Sequence, residues 1–165
     1  MNDFVVKHDI KTIIEYGCGD GNQLKLAKYP SYIGFDVSPH AVSKCENDFF
    51  SDASKTFKTM KSYRNETAEL TLSLDVIYHL VEAEIFVEYM NRLFNSSERY
   101  VIIYSSNTNV KPDSQADHIK HRKFTKWVDD RILNWRLIGQ MTNKHAFNRD
   151  NKKGSFSDFF FYERI

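Results

Sequence analysis

Residues 12–21 read Thr-Ile-Ile-Glu-Tyr-Gly-Cys-Gly-Asp-Gly, and no other stretch narrows the choice of fold as far. Thr12, Ile13 and Ile14 are β-branched and suit a buried strand. Gly17, Gly19 and Gly21 then fall at every second position, ahead of an amphipathic run over 22–28. This pattern predicts a strand, a tight turn and the start of a helix. Glycine accepts positive φ and carries no Cβ, so the chain can turn sharply while a ligand approaches its amides closely. In open α/β sheets, ligands bind at such loops, at the carboxyl ends of strands.

The same alternation continues along the chain. Tyr32-Ile33-Gly34-Phe35 leads to Asp36, a strand ending in a carboxylate, and Ser38-Pro39 opens a helix predicted over 39–50. A third strand is expected at 56–60, a polar loop at 61–67, and a fourth strand at 70–75 ending on Asp75. A helix over 81–94 is expected to bury Ile85, Phe86, Tyr89, Met90 and Leu93, followed by a strand at 99–104. A long polar loop over 105–122, holding Pro112, precedes a helix over 123–133 that places Phe124, Trp127, Val128 and Ile132 on one side. Strands at 135–141 and 156–162, joined by a polar connection containing Gly154, complete the pattern. Strands alternating with helices predict an α/β fold, a doubly wound sheet with helices on both faces, in one domain over 1–165. Tyr100, Tyr104, Trp127 and Trp135 are expected to pack inward.

Lys and Arg total 23 against 22 for Asp and Glu, a formal net charge of +1. The balance points to neither nucleic acid nor an anionic membrane. Cys18 and Cys45 are the only cysteines and lack the spacing of a disulfide framework or a zinc ribbon, so a reducing compartment is expected. Neither a signal peptide nor a membrane span is evident, and a cytoplasmic location follows as the expectation.

The glycine loop departs from the dinucleotide fingerprint G-x-G-x-x-G, whose third glycine would fall on Asn22. Its form, Glu15 followed by Gly17-Cys18-Gly19-Asp20-Gly21, resembles the first motif of the class I S-adenosylmethionine-dependent methyltransferases. The resemblance spans residues 10–162 and implies a Rossmann-like sheet of seven strands with the last antiparallel. It implies S-adenosyl-L-methionine as cofactor and S-adenosyl-L-homocysteine as product. The cofactor residues it implies are Glu15, Gly17, Cys18, Gly19, Gly21, Asp36 with the neighbouring Val37, and Asp75. Glu15 would fix the loop and engage the cofactor amino group through water, and Asp36 would clamp the ribose hydroxyls. Adenine would lie at the 61–67 loop, with Tyr63 as a partner. Only some nine residues precede the first strand, where many relatives carry helices that lid the cofactor. Either the lid is short, or a partner chain completes it, or the site is open.

Methyl transfer from a sulfonium is an in-line displacement, and a base beside a hydroxyl acceptor assists it. Ser73-Leu74-Asp75-Val76-Ile77-Tyr78-His79-Leu80 resembles the fourth motif of small-molecule methyltransferases, which faces the transferring methyl group. His79 is the first candidate base, with Asp75 and His121 beside it and Tyr78 and His118 as further candidates. Arg122 and Lys123 could meet an anionic acceptor. The small-RNA 2′-hydroxyl methyltransferases carry E-x-x-E-H after the fourth strand, with a further His after the fifth, and together these hold a divalent metal. Here that stretch runs from Asp75 to His79 with Tyr78 in place of the second Glu, so no metal site is expected. The Pro-Pro-Tyr motif of DNA amino-methylating enzymes is replaced by Ser73-Leu74-Asp75. The expected activity is transfer of a methyl group to oxygen of a small-molecule or glycan-like acceptor, with nucleic acid and membrane partners not expected. The alternatives are a non-catalytic S-adenosylmethionine-binding partner or sensor module, an RNA 2′-O-methyltransferase and, on the same sheet, an NAD-dependent oxidoreductase.

Overall fold

The computed structural model describes residues 1–110, 118–145, 147 and 154–165. Seven strands form one sheet in the order β3-β2-β1-β4-β5-β7-β6. They are β1 (Thr12–Tyr16), β2 (Ser31–Asp36), β3 (Lys55–Thr59), β4 (Ala68–Leu74), β5 (Ser97–Ser105), β6 (Trp135–Met141) and β7 (Asp158–Arg164). The pairings β1–β2, β1–β4, β2–β3 and β4–β5 are parallel, and β7 runs antiparallel to both β5 and β6.

Alternation along the strands divides the core into two layers. Ile13, Tyr32, Leu70, Leu72 and Ile102 pack with Val5 of α1 (Asn2–Lys7) and with Val42 and Cys45 of α2 (Pro39–Asp48). Ile14, Tyr16, Phe35, Val101, Ile103 and Phe160 point the other way, toward α3 (Ala83–Asn95) and α4 (Phe124–Arg131). The sheet is therefore covered on both faces, as the alternating pattern predicts. Ser38 caps α2 by accepting the Ala41 N–H at 3.3 Å, with Pro39 in the first turn.

Three local expectations change. Residues 22–28 do not form a helix; the segment makes one 3-10 turn at Leu24–Leu26. Seven residues between Gly21 and Tyr29 are too few to offset the cost of helix nucleation, and Pro30 holds Tyr29 out of the helical region. In α3 the buried stripe is Phe86, Met90, Leu93 and Phe94, the i, i+4, i+7, i+8 face, which leaves Ile85 exposed. The third change is an element that the pattern left out. α1 is a short helix whose Phe4 ring packs on His8, Tyr100 and Phe161.

Candidate active site

The glycine loop is built as its sequence requires. Gly17, Gly19 and Gly21 have φ of +82°, +55° and +73°, all in the left-handed region that disfavours other side chains. The N–H groups of Gly17 and Cys18 donate to the Phe35 carbonyl at 2.7 and 3.1 Å, tying the loop to β2. A Cβ on Gly17 would come within 2.5 Å of Val76, so the loop closes directly against the segment that follows β4. A Cβ on Gly21 would strike Cys45 and Phe49 of the α2 region at 2.9 Å, whereas the space around Gly19 is open. The loop is thus packed on two sides and free at its middle glycine.

Asp36, half-buried at the end of β2, receives two backbone donors. Gly19 N–H reaches Oδ2 at 2.9 Å and Ser38 N–H reaches Oδ1 at 2.8 Å. Each oxygen keeps a second lone pair, so the amides fix the carboxylate and leave acceptor capacity for two hydroxyl groups. Val37 follows with 82 % of its surface exposed, beside the open middle of the loop. Cys18 sits under the loop against Gly34, and burial pushes its thiol up, out of the reactive range.

Glu15 is 8 % exposed and lines a cavity of about 360 Å³. Tyr32 donates to its Oε2 at 2.7 Å; its Oε1 has no hydrogen bond among the described residues. The cavity walls are the 23–29 segment, Leu74, Phe159 and the start of α1. Asn2 stitches that helix to the segment, accepting the Lys28 N–H and donating to the Leu26 carbonyl, both at 3.0 Å. The space exists because the first crossover is a single turn rather than a helix.

At the other side of the loop, the ends of β4 and β5 gather a second cluster. Asp75 has a φ of +59° and its carboxyl is half-buried, accepting from Ser157 at 3.3 Å and from Tyr78. Burial raises its affinity for a proton, with the two donors opposing. His79 lies on a short 3-10 turn at Ile77–His79, exposed, with its ring stacked on His118 at 5.9 Å. His121 is partly buried between Tyr78 and Phe156, and burial depresses its pKa. Its Nδ1 is held by Ser106 Oγ at 2.5 Å, and Ser106 is 2 % exposed.

The structure therefore brings Asp75, Tyr78, His79, His118 and His121 to one edge, as the motif spacing predicts. It also separates them: His79 is open to solvent, while His121 is the fixed ring. Arg122 does not face that edge freely. Its guanidinium lies 4.5 Å from the centre of the Phe86 ring and donates to the Val81 carbonyl at 2.7 Å, which holds the loop to α3. Tyr63 is drawn into the core against Tyr16 and Phe35, with Arg92 over its ring, rather than standing free at the 61–67 loop. Part of the 105–122 loop, residues 111–117 with Pro112, lies outside the described residues. Ser106 and Ser157 were not singled out by sequence reasoning; serines that end one strand or precede another carry no periodic signal. Among the described residues no three His, Cys, Asp or Glu side chains stand close enough to hold a metal ion. No helix among them is long and apolar enough to cross a membrane.

Comparison with known proteins points the same way. A family described as "Methyltransferase domain" matches residues 14–102. No curated protein matches the chain in sequence. Among solved structures, the methyltransferase domain of bacterial CtHen1-C superposes with a TM-score of 0.73 at 17% identity, covering 98% of this chain and 93% of that one. Magnesium protoporphyrin IX methyltransferase (ChlM) from Synechocystis PCC 6803, with bound SAM, gives 0.71 at 16% identity, covering 99% and 76%. The small RNA methyltransferase HEN1 gives 0.70 at 16% identity over 98% of this chain and 24% of that one.

Proposed function

The chain belongs to the class I S-adenosylmethionine-dependent methyltransferase family, and from that premise we propose that it methylates oxygen on a small-molecule or glycan-like acceptor bound at the Asp75–His121 edge. S-adenosylmethionine supplies, when bound, a methyl group activated on a sulfonium. The residues present fit that cofactor: the open space at Gly19, the spare lone pairs of Asp36, and Glu15 Oε1, which has no hydrogen bond among the described residues, can each take a partner.

Asp36 would accept both ribose hydroxyls, with Val37 lying along the adenosine and Gly17, Cys18, Gly19 and Gly21 offering backbone surface to the methionyl end. Glu15 would meet the ammonium group. Asp75, one residue beyond the cavity wall at Leu74, would orient the acceptor next to the glycine loop. His79 and His121 are the candidate bases. In the tautomer whose Nδ1–H donates to Ser106 Oγ, Nε2 of His121 is the nitrogen that takes a proton, and burial, which depresses the pKa, favours the neutral ring.

The observation that carries this reading is the pair of backbone donors that fixes Asp36 beside the open Gly19. Calorimetric titration with S-adenosylhomocysteine, S-adenosylmethionine and NAD tests it. Micromolar binding of the two adenosyl ligands, no binding of NAD, and a loss of at least tenfold (~1.4 kcal/mol) in Asp36→Ala are expected. Absence of adenosyl binding, or indifference to Asp36→Ala, would remove the assignment.

Two further readings keep specific support. The shortened crossover at Leu24–Leu26 favours a binding module without turnover, in which His79→Ala and His121→Ala change neither ligand affinity nor any partner effect. The fold likeness to HEN1 favours an RNA 2′-hydroxyl acceptor, which a methyl-transfer assay on small RNA duplexes decides.

A further inference from the structure

We propose that the methyl acceptor carries a phosphate or carboxylate group, held by a cationic rim of His79, His118 and Lys120 while its reacting oxygen lies at His121; the inference rests on the acceptor edge proposed above and names the chemical class of what binds there.

The rim is made by two segments that the fold fastens together. The 3-10 turn at Ile77–His79 follows β4, and residues 118–122 return across it from beyond the end of β5. Lys120 N–H donates to the Tyr78 carbonyl and the Arg122 guanidinium to the Val81 carbonyl, both at 2.7 Å, so residues 118–122 form a strap pinned on either side of His79. Pinning sets the exposed rings of His79 and His118 side by side, with centres 5.9 Å apart and planes within 10° of parallel. An imidazole ring donates at least one N–H in either protonation state, and two protonated rings this close repel unless an anion lies against them. Such a pair is suited to an oxyanion.

The charges around the pair favour the same ligand. Asp75, whose charge acts on His79, is half-buried and already accepts from Ser157 and Tyr78. Glu82 faces Arg122, and Arg122 is itself engaged at Val81 and over the Phe86 ring. The role of anion partner therefore falls to its neighbours in the strap. Lys120 and Lys123 are exposed, and neither makes an ion pair among the described residues. Positive charge thus gathers at this edge of a chain whose formal net charge is only +1.

The rim stands close to the proposed chemistry. The centre of the Tyr78 ring lies 4.5 Å from that of His79 and 6.2 Å from that of His121, so a single ring adjoins both. Contacts to a part of the acceptor that does not react would hold the reacting oxygen in line with the sulfonium. The two candidate bases take different parts: His121, fixed by Ser106, meets the oxygen, and His79, paired with His118, holds the anion.

Inorganic phosphate is the first probe, titrated into the unaltered protein at pH 7 and constant ionic strength while the imidazole C–H resonances are followed by NMR. We expect saturable shifts at His79 and His118 and none at His8 or His40, which follow α1 and lie in α2. A parallel titration with acetate separates the two sources: shifts with phosphate alone assign a phosphate, and shifts with acetate alone a carboxylate. Lys120→Ala, an exposed substitution, is expected to weaken binding about fivefold. Glycerol 3-phosphate, which adds a hydroxyl tail, is expected to shift His121 as well, and glycerol to shift none of the three. Equal shifts at all six histidines, or no shift at His79 and His118 with either anion, would overturn the inference. Anion binding without the His121 response to glycerol 3-phosphate would overturn the placement of the reacting oxygen. S-adenosylhomocysteine titrated into the same sample reads the cofactor site separately, so failure there would remove the methyl-transfer reading while the anion shifts still stand or fall by themselves.

Discussion

Two residues near the glycine loop show how one side chain can work against stability and another can be forbidden outright. Glu15 has a folded pKa of about 7 against an ordinary value near 4.5. Its favourable contribution is therefore present in full below pH 4.5 and is lost as pH rises through 7, by at most about 3 kcal/mol. Glu15→Gln removes the titration, so thermal unfolding followed at pH 5 and pH 8 is expected to show a variant whose midpoint exceeds that of the parent chiefly at the higher pH. Gly17 is the opposite case. Gly17→Ala places a methyl group 2.5 Å from Val76 at a φ of +82°, and a loss of about 2 kcal/mol or more in denaturant unfolding is expected. Adding Val76→Ala relieves the contact but not the dihedral, so rescue is expected to be partial. Both roles begin in the sequence, where Glu15 precedes a strict alternation of glycines. Only the fold shows that Tyr29, Tyr32 and Asp36 surround Glu15 from outside the motif.

At the level of elements, the strands and the long helices could be read from hydrophobic period, while short elements could not. β1, β2, β4 and β5 carry runs of apolar residues that few other conformations would bury, and α3 shows a full stripe. The 22–28 segment has the right period but lacks length, and Pro30 ends it. α1 has six residues and no repeat to detect; it exists through tertiary contact. Phe4 is its anchor, and its backbone C=O receives the His8 N–H while the His8 ring is held by Tyr100 at 3.1 Å. Phe4→Ala is expected to cost about 2 kcal/mol and to speed hydrogen exchange at the Val5 and Ile10 amides well before the β1 amides change, as followed by NMR. The serines at strand ends were invisible for a related reason. Ser106 matters because β5 and the following loop bring it under His121, a long-range meeting that no local pattern records.

Across the whole molecule, the sheet has two exposed edges and guards one of them visibly. β6 borders solvent with Leu137, Ile138 and Met141 all exposed, which would invite pairing with another chain. Its register with β7 slips between Leu137 and Gly139, so Ile138 is a bulge that breaks the free edge, and Arg136 beside it is paired with Glu163 at 2.7 Å. Arg136→Val is expected to raise self-association, seen as a concentration-dependent increase in light scattering, with little change in thermal midpoint. β7 itself lies between β5 and β6 although it comes after both in the chain. During synthesis, then, β6 emerges with its only neighbour still unmade, and it joins the sheet only when the aromatic row Phe159-Phe160-Phe161 has paired with β5. A ribosome that pauses before Asp158 holds a nascent chain with an open seam, the stage at which chaperone engagement has most to protect.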